Sequence, residues 1–231
     1  MHIPVHSRTH SLRATLFAAV AALMLVGCNT PPNQVLRLQA REAIEKKDYP
    51  RAEELMTLAL QQDAADWKAH YYMGLVRLSQ GRPLDARLHL ENAYSLREDW
   101  PETPDVLDAL AEAYWKEGDN EKLYNLLKMA GTRYGTTRDY LRQADFFSRS
   151  GDVDGAKEAY AKAAQFADPK DSSPHMKAAA FFEKIGDRKH AYIALQHAQQ
   201  IEPQNRLIAA KMAAIQAGRP SPSVVEIPVE R

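Results

Sequence analysis

Cysteine is nearly absent. The single thiol, Cys28, rules out an intramolecular disulfide and any zinc site built from several cysteines, so stability has to come from packing. No charge of one sign dominates: basic and acidic residues number 30 each, and nothing favours the one-sided Lys/Arg surface that nucleic acid requires. The prominent apolar run, Ala14 to Val26, stops short of the roughly 18–20 residues a membrane-spanning helix needs. Enzyme signatures are missing as well. The chain has no His-Glu-x-x-His pair, phosphate loop, Gly-x-Ser-x-Gly elbow or dinucleotide glycine pattern. What remains is an ordinary globular composition, 45% hydrophobic and 26% charged, too apolar for a disordered chain.

The first residues read as an address. Residues 1–13 carry Arg8 and Arg13 and no acid, and the apolar run follows them, which is the order of a secretory signal. A buried first helix would show a polar face, and this run shows none. Leu25-Val26-Gly27-Cys28 then resembles the lipobox of bacterial lipoproteins. The resemblance implies cleavage of residues 1–27, a diacylglycerol thioether on Cys28 and often an acyl chain such as palmitate on the new amine. Two or three buried chains, at about 0.8 kcal/mol per methylene, give stable anchoring where one would not. Asn29 stands where an aspartate tends to retain such proteins at the inner membrane, so the resemblance implies an outer membrane, facing the periplasm. Residues 28–33, with Pro31 and Pro32, read as a short lipidated tether. Without the signal the balance is 28 basic against 30 acidic residues.

A recurring pattern fills the rest. A small residue is followed after seven by glycine, after five more by a small residue, after four by a large apolar one and after three by alanine. Gly74, Gly81, Ala86, Leu90 and Ala93 form one copy; Ala144, Gly151, Ala156, Tyr160 and Ala163 another; Ala179, Gly186, Ala191, Leu195 and Ala198 a third. Ala111, Gly118, Leu123, Leu127 and Ala130 fit except for the leucine at 123. Ala40, Lys47, Ala52, Met56 and Ala59 fit except for the missing glycine. The final alanines are spaced by 34, 37, 33 and 35 residues.

Over residues 33–203 this pattern resembles the tetratricopeptide repeat (TPR), two antiparallel helices in about 34 residues. The resemblance implies an all-α solenoid, a right-handed superhelix of about five helix pairs with a C-terminal capping helix, over residues 34–216. Small residues would let the two helices cross closely, and glycine would end the first in a left-handed conformation. Helix pairs are expected at 34–46 with 49–61, 67–80 with 83–96, 104–116 with 120–130, 137–150 with 153–166 and 173–185 with 188–201. Thr103 and Ser173 are expected to cap helices that open on Pro104 and Pro174. Asp48, Asp119, Asp152 and Asp187 are placed to favour the N-terminus of each second helix. Residues 207–215 form one more amphipathic helix to cover the open end, closed by Gly218, and residues 217–231 read as a disordered, proline-rich tail.

In the TPR family the first helices line a concave groove that binds peptides or protein domains. The resemblance implies groove positions at Arg37, Arg41 and Ile44; at Lys68, Tyr71, Leu75 and Leu78; and at Asp105, Asp108, Glu112 and Trp115. Arg138, Leu141, Asp145 and Arg149 follow, then Met176, Ala180 and Glu183. Such a groove starts basic, turns apolar and becomes acidic, with Tyr71 and Trp115 as aromatic anchors. Tyr71, Leu75, Asp108 and Glu112 stand where the chaperone-binding version of the fold has cations and amides, so an acidic C-terminal peptide is not its ligand. His70 and His175 share a repeat position and read as packing residues, as do Tyr71-Tyr72, Phe146-Phe147 and Phe181-Phe182. His190 and His197, seven residues apart, are too distant to chelate one metal.

The expectation is a membrane-tethered, non-enzymatic adaptor without cofactor or metal, which binds protein partners of the cell envelope and no nucleic acid. In architecture it resembles lipoproteins that assist assembly of a pilus or secretion complex. The rival readings are a cell-wall enzyme working through Asp105, Asp108 and Glu112, or a docking adaptor for such an enzyme, and a structural homo-oligomer.

Overall fold

A computed structural model describes residues 31–96 and 103–220 of the chain. The lipobox with Cys28, the signal before it and tail residues 221–231 lie outside the described residues. The chain divides into two compact units, parting at Leu96. The first holds two helix pairs, α1 (Asn33–Glu45) with α2 (Tyr49–Gln62) and α3 (Trp67–Ser79) with α4 (Pro83–Leu96). The second holds three pairs: α5 (Thr103–Glu117) with α6 (Asn120–Arg133), α7 (Thr137–Ser150) with α8 (Val153–Gln165), and α9 (Ser173–Lys184) with α10 (Arg188–Ile201). It closes on α11 (Arg206–Gln216). Among the described residues there is no strand, and the fold is all-α.

Most repeat marks have the packing role the spacing predicts; Leu123 and the half-buried Tyr160 depart from it. The small residues Ala40, Ala111, Ala144 and Ala179 are buried in the first helices, and Ala52, Ala86, Ala156 and Ala191 in the second. The large apolar residue between them is fully buried at Met56, Leu90 and Leu195. Removing such a side chain leaves a cavity and costs about 2–5 kcal/mol. Gly81, Gly118, Gly151 and Gly186 end the first helices at φ of 71° to 83°, the left-handed region that penalises a Cβ. Lys47, at the mark that lacks glycine, adopts the same conformation at φ 60°.

The second helices start on the predicted aspartates. Asp48, Asp119, Asp152 and Asp187 each accept a hydrogen bond from the backbone N–H three residues on, which satisfies an otherwise orphan donor. The serine cap is a correction. The N-cap of α9 is Ser172 and not Ser173, and the Ser172 hydroxyl donates to Glu202 instead of capping the helix. Asp171 meets the Ser173 N–H at 2.9 Å in its place. Thr103 also lies inside its helix, as the first residue of α5.

The last helix does cover an apolar end. Ile208 is fully buried with Ala179, Ala194, Leu195 and Ala198, and Met212 and Ile215 pack beside it. Gly218, at φ 69°, closes it.

Candidate functional site

In the first unit the groove positions lie on α1 and α3. Arg37 donates to the buried carboxylate of Asp66, which also accepts from Asn33 at 3.0 Å and caps α3 through the Ala69 N–H. Arg41 lies 3.7 Å from Glu45 on its own helix. The basic start expected of the groove is therefore balanced within the unit. The Lys68 ammonium sits 5.2 Å from the Trp67 ring centroid, and the Tyr71 and Tyr72 rings are 5.5 Å apart. Ile44, Tyr71, Leu75 and Leu78 are half-buried, packed but within reach of a partner.

In the second unit the sequence-derived positions converge. A concave cavity of about 280 Å³ is lined by Asp108 and Glu112 from α5, by Arg138, Leu141, Arg142, Asp145, Phe146 and Arg149 from α7, and by Lys177 from α9. Six of these nine stand at groove positions read from the repeats. Trp115 is half-buried at its side, with its ring 6.0 Å from that of Phe146. Of the α9 positions, Met176 packs against the apolar cluster around Ile208, Ala180 is exposed, and Glu183 lies 3.7 Å from Lys211 of α11.

The acids of this face do not form an acidic patch. Arg138 bridges Asp105 and Asp108, and Arg142 also donates to Asp108. Arg149 grips Glu112 with both terminal nitrogens, Nη1 at 2.7 Å, and lies 3.4 Å from Asp145. Its guanidinium centre lies 4.8 Å from the Trp115 ring centroid and 4.7 Å from that of Phe146, within cation–π reach of both rings. Burial lowers the Arg149 pKa, but its bonds to Glu112 and the nearby Asp145 outweigh this and leave it raised. Arg138 is raised by its two aspartates against the same opposing burial. Each acid of the cell-wall enzyme reading is thus held by an arginine, where a general acid–base pair needs two carboxyls acting on one bond.

Arg142 is the residue that the repeat register passes over. Its side chain is 3% exposed, and besides Asp108 it binds Asp139 at 2.8 Å and the Pro104 carbonyl oxygen at 3.2 Å. Its spacing was a signal, for Asp108 and Arg142 are 34 residues apart, one repeat period. Opposite charges one period apart can meet across neighbouring first helices.

No family model matches the chain, and no curated protein does. Solved structures do. A thermophilic TPR protein of Thermus thermophilus aligns over 80% of this chain and 99% of its own, with 19% identity and a TM-score of 0.54. The MamA protein aligns over 75% and 93%, with 18% identity and a TM-score of 0.56. A tetratricopeptide repeat protein from Parabacteroides merdae aligns over 90% and 79%, with 14% identity and a TM-score of 0.58. The fold is the tetratricopeptide-repeat fold.

One departure from the TPR pattern opens a second hollow. Leu123 occupies the small-residue mark, and α5 and α6 are the least closely packed of the helix pairs. A cavity of about 190 Å³ opens there between Trp115, Leu123, Tyr124 and Phe147. A larger one, about 500 Å³, shares Tyr124 and Phe147 and continues to Tyr140, Lys128 and Lys162. The exception at Leu123 was visible in the sequence; the hollow that follows from it is a property of the packing.

Proposed function

We propose that this chain is a lipid-anchored, non-enzymatic TPR scaffold of the cell envelope, which holds a protein partner on the concave face of its second unit. The observation that carries the reading is the convergence of Asp108, Glu112, Arg138, Leu141, Asp145 and Arg149 on one concavity, from helices a repeat apart. That face offers a charged rim around an arginine–aromatic centre, the chemistry that concentrates binding energy in protein interfaces. The anchor rests on Cys28 in its lipobox, and the outer membrane on Asn29 after it. Assembly of a pilus or secretion complex is the process such a scaffold would serve.

Photocrosslinking in intact cells tests the site. A crosslinking side chain at Leu141 is expected to trap one discrete partner, and the same group at Tyr124 is not. The Leu141 adduct should vanish when Arg149 and Glu112 are both changed to alanine in a chain that still folds. A partner trapped at Tyr124 alone would move the binding site to the α6–α8 hollow. For the anchor, radiolabelled palmitate is expected in the wild type and absent from Cys28→Ala; label in both would end the lipoprotein reading.

A further inference from the structure

Val35 and Leu38, about one turn apart on α1, leave 41% and 60% of their surface exposed. Val35 stands in a register that the later repeats bury. It lies five residues before the repeat mark Ala40, and its counterparts Ala69, Val106, Asp139 and Pro174 are all buried. Ala69 shows what covers such a position, for it clusters with Leu36 and Ala59 of the repeat before it. Of the four counterparts of Leu38, two residues before the mark, the exposed one is a lysine, Lys177. Among the described residues no helix precedes α1, so nothing in them covers this face. At the end of the second unit α11 supplies the cover by burying Ile208. The terminal repeats of an array need a polar outer face to stay soluble. Here an aliphatic pair stands in its place.

The length of the tether identifies the cover. Cys28 lies outside the described residues, but only five residue steps separate it from Asn33, where α1 begins. Fully extended, five steps span at most about 18 Å. The headgroup layer, about 5–8 Å thick, takes up part of that reach. An acylated Cys28 therefore keeps the start of α1 within about one helix diameter, some 10–12 Å, of the lipid surface.

We propose that the tether-proximal half of α1, centred on Val35 and Leu38, rests on the phospholipid surface to which Cys28 anchors the chain; the contact rests on the lipid-anchor reading above. The order of residues along the helix suits it. Val35, Leu38, Glu42 and Glu45 follow one another at helical spacing on the outer face, apolar at the tether end and charged at the far end. The far charges are balanced within the helix, Glu42 by Lys46 at 2.6 Å and Glu45 by Arg41 at 3.7 Å. That half stays in water and sets little field against the headgroups.

Two aliphatic side chains do not hold a soluble protein on a bilayer. A short tether changes this, because it presents the patch at an effective concentration of about millimolar, where a weak contact is populated. Acyl chains and an apolar patch then act as two signals on one surface. Zwitterionic lipid suffices, since the patch is apolar and its surroundings are charge-paired.

The test uses the full lipidated chain in phosphatidylcholine vesicles that carry a lipid with a nitroxide in its headgroup region. Cys28 is the only native cysteine and its sulfur is consumed by the thioether, so a fluorophore on Gln34→Cys reports the patch alone. The nitroxide is expected to quench that label, and aqueous iodide is not. With Val35→Ser and Leu38→Ser added, the tether is unchanged, but lipid quenching should fall and iodide quenching should rise. The same label at Leu88→Cys, which replaces a comparably exposed leucine on α4, should answer to iodide only. Circular dichroism checks helicity, and Val35→Thr with Leu38→Gln replaces the serine pair if it falls. Equal lipid quenching at position 34 with and without the serine pair would mean that the tether alone brings α1 near the bilayer, and overturns the contact while leaving the anchor. Shielding from iodide without lipid quenching would mean that protein covers the patch, a second copy or another part of the chain, and overturns it too. Mass spectrometry separates failure of the anchor: a Cys28 without acyl groups ends the lipoprotein reading and this contact with it.

Discussion

The Leu90 side chain occupies the space that a Cβ on Gly74 would need, its Cγ 2.5 Å and its Cδ2 2.7 Å from that position. The other four repeats have alanine at this mark, so α3 and α4 owe this close contact to the glycine. Gly74→Ala gains about 1 kcal/mol of helix propensity, but overpacking costs about 1–3 kcal/mol. The expected net result is a loss of about 1 kcal/mol in urea denaturation. Leu90→Ala alone should cost about 2–5 kcal/mol. Combined with Gly74→Ala it should cost clearly less than the sum, because the new methyl enters the space that leucine vacates. Strict additivity of the two would show that the residues are not in contact.

The turn after α1 makes the opposite prediction. Lys47 is held at φ 60° where four other repeats place glycine. A left-handed conformation costs a residue with a Cβ about 1–2 kcal/mol, so Lys47→Gly should stabilise the protein by about 1 kcal/mol. At Gly186, φ 80°, an added Cβ would meet nothing within 4 Å, so Gly186→Ala should destabilise by a similar amount through the backbone alone. Denaturant midpoints of the two variants should move in opposite directions.

Arg142 and Arg138 separate a buried charge from an exposed one on the same helix. Arg142 and Asp139 are both 3% exposed and paired, whereas the Arg138 side chain is 48% exposed. Arg142→Met takes the cation away from the buried Asp139 carboxylate, which keeps its bonds from the Thr136 N–H and hydroxyl, and should cost about 3 kcal/mol. Arg138→Met should cost under about 1 kcal/mol, although Arg138 touches two aspartates, because solvent screens those pairs. A double variant, Arg142→Met with Asp139→Asn, should recover part of the first loss. Equal effects at 138 and 142 would refute the distinction.

The helical frame was legible because it depends on residue size and local turn chemistry. Small residues at Ala40 or Ala144 admit a close crossing whatever lies around them, and Gly151 or Asp152 act within a turn of themselves. The six groove residues that converge in the second unit followed from the same register. Their electrostatics did not. Asp105, Asp108 and Glu112 look like an acidic face until the next first helix brings Arg138, Arg142 and Arg149 to them. Those contacts depend on where long side chains end up, which the periodicity of Cα positions leaves open. The hydrogen bond between His70 and His89 was hidden for a related reason, since 19 residues separate partners on two helices of one repeat.

His89 sets the last prediction. Its pKa falls from 6.5 to about 4 on folding, mainly because burial disfavours the charged ring, with His70 and Arg77 adding repulsion. The unfolded chain therefore binds the proton at a pH where the folded one does not, and stability rises with pH between those values. The contribution is complete above pH 6.5, declines as the pH drops from there, and is gone below about pH 4. His175, also lowered by burial and by His197, acts in the same direction. His89→Gln removes the titrating group, so the stability of that variant should fall less steeply from pH 7 to pH 4.5 than that of wild type. Glu53 and Glu202, whose pKa values are lowered by hydrogen bonds to Gln80 and Ser172, act below the ordinary glutamate value of 4.5 and leave that window to the histidines. Urea midpoints at half-unit pH steps in chelator-treated buffer measure this. Parallel pH profiles for the two proteins would mean that His89 titrates alike in the folded and unfolded chains.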